Sequence, residues 1–228
     1  MLITGATAGI GACLARDYVA AGYNVIATGT RADGPAGTRY VRADQAEPEA
    51  AAAEIAAAVG GHLDVAILNA GLGRIGAAPE AEAARMLDVN LVAPVLIAHA
   101  IAPAILAAGG VLILVGSSMH RGAAAAPTYA ATKAGLHGLA RALASEWQGR
   151  AHVAVLHPGA TDTGMLARSG LKRLPPRWML NDPAAVARAI EDAVARRAPS
   201  GRIGRLAAWR ARGLARDAAR GPRKRIAA

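Results

Sequence analysis

A tyrosine and a lysine stand four residues apart, at Tyr129 and Lys133, in a stretch rich in Ala and Leu that spans residues 128–147. The stretch is typical of a helix, where residues i and i+4 share a face, so both side chains can act at one point. A phenol has an unperturbed pKa of about 10, and a neighbouring ammonium lowers that pKa by favouring the phenolate. The pair can therefore exchange a proton with a carbonyl or an alcohol. Taken alone, the spacing more often reflects an exposed lysine and a half-buried tyrosine without a shared role.

A glycine-rich turn follows the short apolar stretch at residues 1–3 and precedes an amphipathic helical stretch that reaches residue 21. Its glycines are Gly5, Gly9 and Gly11. Glycines let the backbone approach a pyrophosphate, and a helix amino terminus favours an anion. The turn predicts a dinucleotide site, although an ordinary strand-to-helix turn has the same pattern.

The second predicted strand, residues 24–28, bears on the choice of dinucleotide. It runs into Gly29, Thr30 and Arg31, and the first acidic residue after it is Asp33. In dinucleotide-binding folds an acid at this position binds the ribose 2′-hydroxyl, whereas an arginine accommodates a 2′-phosphate. The pattern favours NADP(H) and leaves NAD(H) possible. The alternative is that Arg31 is a solvated loop residue.

Strand and helix patterns alternate along the chain, which predicts a single α/β domain with a doubly wound parallel sheet and helices on both faces. Further strands are predicted at residues 38–43, 64–68, 111–115 and 152–156. Further helices are predicted at residues 48–59, 80–106 and 183–197. Ligands of such sheets bind outside the carboxyl ends of the strands. Polar or turn-forming residues fall at six of these ends: Gly5, Gly29, Asp44, Asn69, Ser118 and Pro158.

Two prolines, Pro94 and Pro103, are expected to interrupt the helix at 80–106, which also carries Asn90 in an apolar stretch. A buried asparagine in a helix is usually a satisfied structural group. Near an active site it can instead distort the helix and hold a water.

The net charge of +10 is concentrated in one part of the 228-residue chain. Residues 196–228 carry the whole excess, and the rest is neutral. We therefore expect a domain at residues 1–199 and a basic tail at residues 200–228, with an amphipathic helix whose apolar side includes Ile203 and Leu206. The tail is interpreted as packing on the domain or a partner subunit, contacting an anionic membrane surface, or binding nucleic acid nonspecifically. No sequence-specific nucleic-acid site is expected.

Several classes of protein are disfavoured. The single cysteine, Cys13, excludes an intramolecular disulfide. No cluster has metal-ligand spacing, so we expect no metal. No amino-terminal signal sequence is recognised, and no uncharged apolar run is expected to reach about 18 residues. We therefore expect a cytoplasmic protein.

In its motifs and their order the chain resembles the short-chain dehydrogenase/reductase family over residues 1–195. The matching residues are Thr4, Gly5, Gly9, Ile10, Gly11, Asp44, Asn69, Ala70, Gly71, Asn90, Ser118, Tyr129, Lys133, Pro158, Gly159 and Thr163.

The resemblance implies a Rossmann-type fold and an NADP(H)-dependent oxidoreductase that interconverts a carbonyl and a secondary alcohol. Tyr129 would be the general acid and base. Lys133 would lower the pKa of Tyr129 and bind the nicotinamide ribose. Ser118 would bind the substrate oxygen, and Asn90 would hold a water of a proton relay.

The resemblance also implies the cofactor-binding residues and a homodimer or homotetramer built through the helices at residues 80–106 and 128–147. The implied cofactor contacts are Gly5, Thr7, Gly9, Ile10, Gly11, Thr30, Arg31, Asp44, Gln45, Asn69, Ala70, Gly71, Tyr129, Lys133, Pro158, Gly159, Thr161 and Thr163.

The chain departs from the family pattern at three places. The interval from Ser118 to Tyr129 is short, which leaves Ser117 as a lesser candidate for the catalytic serine. Ala8 replaces the basic residue common in NADP-preferring members. The segment after Thr163 that usually closes over substrate is short.

Two interpretations remain open. The side chains of His120, Arg121 and Met165 either line the substrate pocket or are ordinary loop residues. The rival function is a non-catalytic dinucleotide-binding regulatory protein that acts through its basic tail. The complete set Asn90, Ser118, Tyr129 and Lys133 argues against that rival, because a binding protein has no chemical need for all four.

Overall fold

The computed structural model describes residues 1–76, 78–171 and 175–204, and the strands in this part of the chain form one parallel sheet. The strands are β1 Leu2–Ile3, β2 Ile26–Gly29, β3 Arg39–Arg42, β4 Val65–Leu68, β5 Val111–Val115, β6 His152–Pro158 and β7 Gly201–Ile203. Their order across the sheet is β3-β2-β1-β4-β5-β6-β7. The order reverses between β1 and β4, which confirms the predicted doubly wound sheet and places its switch point beside the glycine-rich turn.

Helices cover both faces of the sheet. They are α1 Gly9–Ala20, α2 Pro48–Val59, α3 Glu80–Leu87, α4 Ala93–Ala107, α5 Pro127–Glu146, α6 Gly164–Ala167 and α7 Pro183–Ala195. Helices α1 and α7 pack on one face, and α2, α4 and α5 pack on the other. In β5, Leu112 and Leu114 face the second group while Ile113 faces the first. All five residues of β5 are buried because the strand has helices on both sides.

The predicted helix at residues 80–106 is not α-helical throughout. A π turn, Asp88–Val92, separates α3 from α4 and carries Asn90, which is fully buried. A π turn inserts one extra residue and so re-aims the side chains around it. The prediction that Pro103 interrupts the helix was wrong. Pro103 lies on the exposed side of α4, where water can satisfy the carbonyl that its missing N–H leaves unpaired.

Strand β7 was missed by the sequence analysis, which placed Ile203 on the apolar side of a helix. Ile203 instead pairs with Pro158 of β6 and is buried. The Ser200 hydroxyl accepts a hydrogen bond from Val155 N–H at 3.0 Å, which aligns the incoming chain with the sheet. Strand β7 thus lies within the predicted tail, just after the predicted domain boundary at residue 199. Residues 205–228 of that tail lie outside the described residues.

The run Glu80–Ala107 is long and apolar enough, by length and composition, to cross a membrane. The expectation that no apolar run reaches this length was therefore wrong. Its inner face, including Ile97, Ile101 and Ile105, is buried in the domain core. A core helix passes the same test of length and hydropathy, so the run is weak evidence for a membrane span.

Candidate active site

The turn between β1 and α1 has the backbone that an anion site needs. Gly5 and Gly9 adopt φ of +62° and +55°, a region that favours glycine. Ala8, the residue before helix α1, offers no side-chain cap, and the first turn of the helix has no acidic residue. Its N–H groups and the positive end of its dipole are therefore available to a phosphate. This arrangement fits the predicted phosphate residues Gly5, Thr7, Gly9, Ile10 and Gly11.

The ends of β1 and β4 are clamped together beside that turn. Thr4 Oγ1 accepts hydrogen bonds from the N–H groups of Asn69 at 3.0 Å and Ala70 at 3.1 Å. Asn69 Nδ2 donates to the carbonyls of Thr4 at 3.1 Å and Gly5 at 3.2 Å. A Cβ on Gly11 would lie 2.2 Å from Gly5 O, so only glycine allows α1 to approach this closely. The Asn69 side chain thus holds the start of the glycine-rich turn in place.

The ends of β2 and β3 bring two arginines to the far side of the turn. Tyr40 Oη donates to Arg31 O at 2.8 Å and so holds the loop after β2. Arg42 lies beside Gly29 in the β2–β3 register. Both guanidinium groups act to lower the pKa of Tyr40, although burial, the larger effect, raises it. The sequence analysis identified Arg31 and missed Arg42, which the pairing of β2 with β3 brings into range.

The predicted adenine contacts follow β3. Asp44 is exposed, its Oδ1 accepts from Ala46 N–H at 3.0 Å, and its Oδ2 lies 3.6 Å from Arg85 Nη2. Gln45 is buried at 5% exposure, and its Oε1 has no hydrogen-bond partner within the described ranges. The carboxylate of Asp44 is therefore held at the rim of the sheet, where the prediction places it.

Tyr129 and Lys133 lie near each other on α5, as predicted, but the ammonium of Lys133 bonds to a backbone carbonyl instead of acting on the phenol. Lys133 is buried, its Nζ lies 5.8 Å from the centroid of the Tyr129 ring, and it donates to Val115 O at 3.0 Å. Burial lowers the pKa of Lys133 to about 8. Burial also raises the pKa of Tyr129, so the expected lowering by Lys133 is not seen in this arrangement.

The two serines after β5 differ in what they face. Ser117 is buried and caps a 3₁₀ turn, Ser118–Arg121, where its Oγ accepts from Met119 N–H at 3.2 Å. The Ser117 hydroxyl also acts on the Tyr129 phenol, whose pKa it lowers against the larger effect of burial. Ser118 lies on the turn itself and is less buried. Ser117 is therefore the serine whose hydroxyl acts on Tyr129, and the predicted role of Ser118 stays a prediction.

Asn90 uses its whole side-chain amide to hold the loop after β4. Its Oδ1 accepts from Leu72 N–H at 2.7 Å, and its Nδ2 donates to Leu72 O at 2.8 Å and to Thr132 Oγ1 at 3.2 Å. A Cβ on Gly71 would lie 3.2 Å from Asn90 Oδ1 and 3.4 Å from Lys133 Nζ. The π turn thus aims Asn90 at the active-site loop, and the predicted role in holding a water stays a prediction.

The loop after β6 closes the site opposite the glycine-rich turn. Pro158 ends β6, Gly159 N–H donates to Ile203 O at 3.2 Å, and Thr161 Oγ1 donates to Gly159 O at 2.9 Å. A Cβ on Gly9 would lie 3.1 Å from Thr163 Cγ2. The predicted residues Pro158 to Thr163 and the phosphate turn therefore face each other across the sheet edge.

Met165, on α6, lies over the predicted catalytic residues. A Cβ on Gly73 would lie 3.0 Å from Met165 Sδ and 3.7 Å from Tyr129 Cε2. Met165 therefore fits the predicted pocket wall, whereas Arg121 is exposed. A cleft of about 480 Å³ lies further out, lined by Asp162, Arg177, Trp178, Leu180, Asn181, Asp182 and Pro183.

A histidine cluster was missed by the sequence analysis. His120, His137 and His157 come from the 3₁₀ turn, α5 and β6, and their ligand nitrogens all lie within 4.8 Å of one another. The spacing of these histidines in the sequence does not predict the cluster, because they belong to three separate elements.

The comparisons with known proteins agree with this geometry. The short chain dehydrogenase family model matches residues 1–173. The chain belongs to the short-chain dehydrogenase/reductase family. It is 31% identical over 188 residues to the serine 3-dehydrogenase of Agrobacterium fabrum, covering 75% of each chain. It is 32% identical over 203 residues to the cyclic-di-GMP-binding biofilm dispersal mediator protein of Escherichia coli, covering 82% of each.

Solved structures confirm the fold of this short-chain dehydrogenase/reductase. A short-chain dehydrogenase of Sphingobium yanoikuyae in complex with NADPH superposes with a TM-score of 0.78 at 24% identity, covering 100% of this chain and 97% of that one. A short-chain dehydrogenase of Streptomyces avermitilis gives 0.75 at 27% identity, covering 96% and 93%. The predicted family, Rossmann-type fold and NAD(P)-dependent oxidoreductase class are confirmed.

Proposed function

We propose that this protein is an NADP(H)-preferring oxidoreductase that interconverts a carbonyl and a secondary alcohol, with Tyr129 as general acid and base. The observation that carries the proposal is the meeting of three side chains: the Ser117 hydroxyl acts on the Tyr129 phenol, and the buried ammonium of Lys133 lies 5.8 Å from the centroid of the Tyr129 ring. Within the described residues Lys133 has no carboxylate partner, and a binding protein has no need of such a lysine, because burial of an unpaired charge is costly.

Each of the three side chains has a role that follows from the proton, hydrogen bond or charge that it can supply. When bound, the nicotinamide supplies the hydride in reduction and accepts it in oxidation. Tyr129 gives its proton to the carbonyl oxygen in reduction and takes it back in oxidation. The Ser117 hydroxyl hydrogen-bonds to the same oxygen and orients it. The ammonium of Lys133, 5.8 Å from the centroid of the Tyr129 ring, is expected to bind the nicotinamide ribose beside the phenol.

Variants of three side chains test these roles, with NADPH oxidation followed by absorbance across a panel of small ketones and aldehydes. Tyr129→Phe is expected to abolish turnover and to leave NADPH affinity nearly unchanged, since the ring remains. Ser117→Ala is expected to lose at least 100-fold in kcat/KM, whereas its neighbour Ser118→Ala stays within about threefold. Retained turnover in Tyr129→Phe would refute the general-acid role, and a larger loss in Ser118→Ala would restore the original choice of serine.

The preference for NADP(H) is supported by Arg31 and Arg42, which follow β2 and end β3 and both act on the Tyr40 phenol, since an arginine in this region accommodates a 2′-phosphate. Calorimetric titrations with NADPH and with NADH measure it. NADPH is expected to bind more tightly, and Arg31→Ala and Arg42→Ala are each expected to weaken NADPH at least tenfold while NADH changes little. Tighter binding of NADH by the wild-type protein would contradict this assignment.

One relative supports a second candidate, a dinucleotide-binding regulatory protein. The Escherichia coli relative is named for binding cyclic di-GMP. The same phosphate turn could receive such a ligand through its glycines and free helix terminus. Calorimetry with cyclic di-GMP, with and without saturating NADPH, separates the two functions. Tight binding of cyclic di-GMP by a protein that turns over no substrate in the carbonyl panel would favour the regulatory function.

A further inference from the structure

Three histidines lie close together beside the backbone of Ser117, and the proposed reaction gives none of them a role. They are His120, His137 and His157. His137 Nδ1 lies 3.0 Å from His157 Nε2, and the rings of His120 and His157 stack with centroids 3.7 Å apart. Imidazole nitrogens shielded from water need hydrogen-bond partners or a bound ion, so the cluster calls for a chemical explanation.

One backbone carbonyl orients two of the three rings. His120 Nδ1 lies 2.8 Å and His157 Nδ1 lies 3.1 Å from Ser117 O. A ring that donates its Nδ1–H to a carbonyl keeps the lone pair on Nε2, and metal-bound histidines are commonly held in this way. In the other tautomer, His157 Nδ1 accepts from Ser117 N–H at 3.2 Å, and its Nε2 then carries the proton. The first tautomer leaves a lone pair on both Nε2 atoms, and the lone pair of His157 would exchange its contact with His137 Nδ1 for the cation.

Neighbouring rings and cations act on two of the three histidines, His137 and His157. Burial lowers the pKa of His157 to about 4, with smaller contributions from the other two histidines and Lys133. Burial also lowers the pKa of His137, with further lowering by His120, Arg141 and Arg121. The same cations oppose a metal ion, so binding must rest on strong metal–imidazole bonds.

We propose that His120, His137 and His157 form a binding site for a divalent transition-metal ion, with Zn²⁺ the ion whose ligand preferences fit best. Three histidines with water or an anion in the fourth position form a tetrahedral zinc site, and imidazole suits Zn²⁺ among the available metals. Zinc–nitrogen bonds of about 2.0–2.1 Å place ligand nitrogens about 3.4 Å apart in a tetrahedron. The 3.0 Å separation of His137 Nδ1 and His157 Nε2 is close to that value.

Binding requires one movement. Stacked rings point their lone pairs in parallel, so His120 has to tilt away from His157 to share an ion with it. His120 lies on a short, partly exposed 3₁₀ turn, which leaves room for this tilt. His157, held in β6 by strand pairing, and His137, on the long helix α5, then form the fixed part of the site.

Titration of the full-length protein with ZnCl₂ by calorimetry, and with CoCl₂ by visible absorption, tests the site. The variants are His120→Gln and His137→Gln, both at partly exposed positions, and the control is His99→Gln, an exposed histidine of α4. Wild type and His99→Gln are expected to bind one equivalent of each ion with the absorption of four-coordinate Co²⁺. Each cluster variant is expected to lose at least tenfold in affinity, with an unfolding midpoint near that of wild type.

Other results would overturn the proposal. Wild-type protein that shows no saturable binding excludes the site. Binding that survives in either cluster variant, or that disappears in His99→Gln, assigns the ion to other residues. Six-coordinate Co²⁺ absorption assigns it to scattered surface ligands. The measurement needs neither cofactor nor substrate, so its outcome is independent of the proposed oxidoreductase activity.

Discussion

The buried ammonium of Lys133 is expected to lower the free energy of unfolding of the protein. Its side chain is 3% exposed and its hydrogen bond is to Val115 O, a neutral carbonyl. Burial lowers its pKa from 10.5 to about 8, so the unfolded chain binds this proton more tightly than the folded protein does. Stability therefore rises as the pH climbs from 8 to 10.5. At about 1.36 kcal/mol per pKa unit, the lowered pKa of Lys133 costs about 3 kcal/mol of stability at pH 7 and about 1 kcal/mol at pH 9.5.

Replacing the ammonium with an apolar chain of similar length should recover most of that free energy. Lys133→Met leaves Val115 O without its partner, which costs about 1 kcal/mol. We therefore expect the variant to be about 2 kcal/mol more stable than wild type at pH 7 and nearly equal to it at pH 9.5. Turnover should be lost, because the proposed reaction needs the cation.

Urea unfolding without dinucleotide, at pH 7 and at pH 9.5, measures these differences. Arg141→Met is the matched control, since Arg141 is an exposed cation on the same helix. Its free energy of unfolding should differ from that of wild type by the same small amount at both pH values. A Lys133→Met variant that is less stable than wild type at pH 7, or whose stability difference does not depend on pH, would refute the reasoning.

Two further substitutions test the clamps around the site. Gly11→Ala places a Cβ 2.2 Å from Gly5 O and should cost about 3 kcal/mol in thermal unfolding, whereas Gly138→Ala, in a helix with open space around it, should add about 0.5–1 kcal/mol. Equal effects of the two would contradict the packing argument. Asn90→Ala leaves the Leu72 N–H and C=O unpaired and should cost about 2–4 kcal/mol in urea unfolding, and a cost below 1 kcal/mol would show that water replaces the clamp.

Much of the fold could be predicted because its signals are local. The bounds of α2 were predicted correctly, since Pro48 opens the helix and Gly60 ends it. The bounds of β5 were predicted correctly from a continuous apolar run. Strand β7 was missed because three residues carry no periodicity of their own, and the free edge of β6 determines their conformation.

The sequence by itself determined the family, the glycine-rich turn and the spacing that puts Tyr129 and Lys133 on one helix face, because each depends on neighbours within a few residues. Tertiary structure alone decided that Ser117 rather than Ser118 faces Tyr129, and that Lys133 bonds to Val115. It also brought together the three histidines. The physical reason is that these contacts join the ends of different strands and helices. Such contacts depend on sheet register and helix packing, which no local pattern of residues specifies.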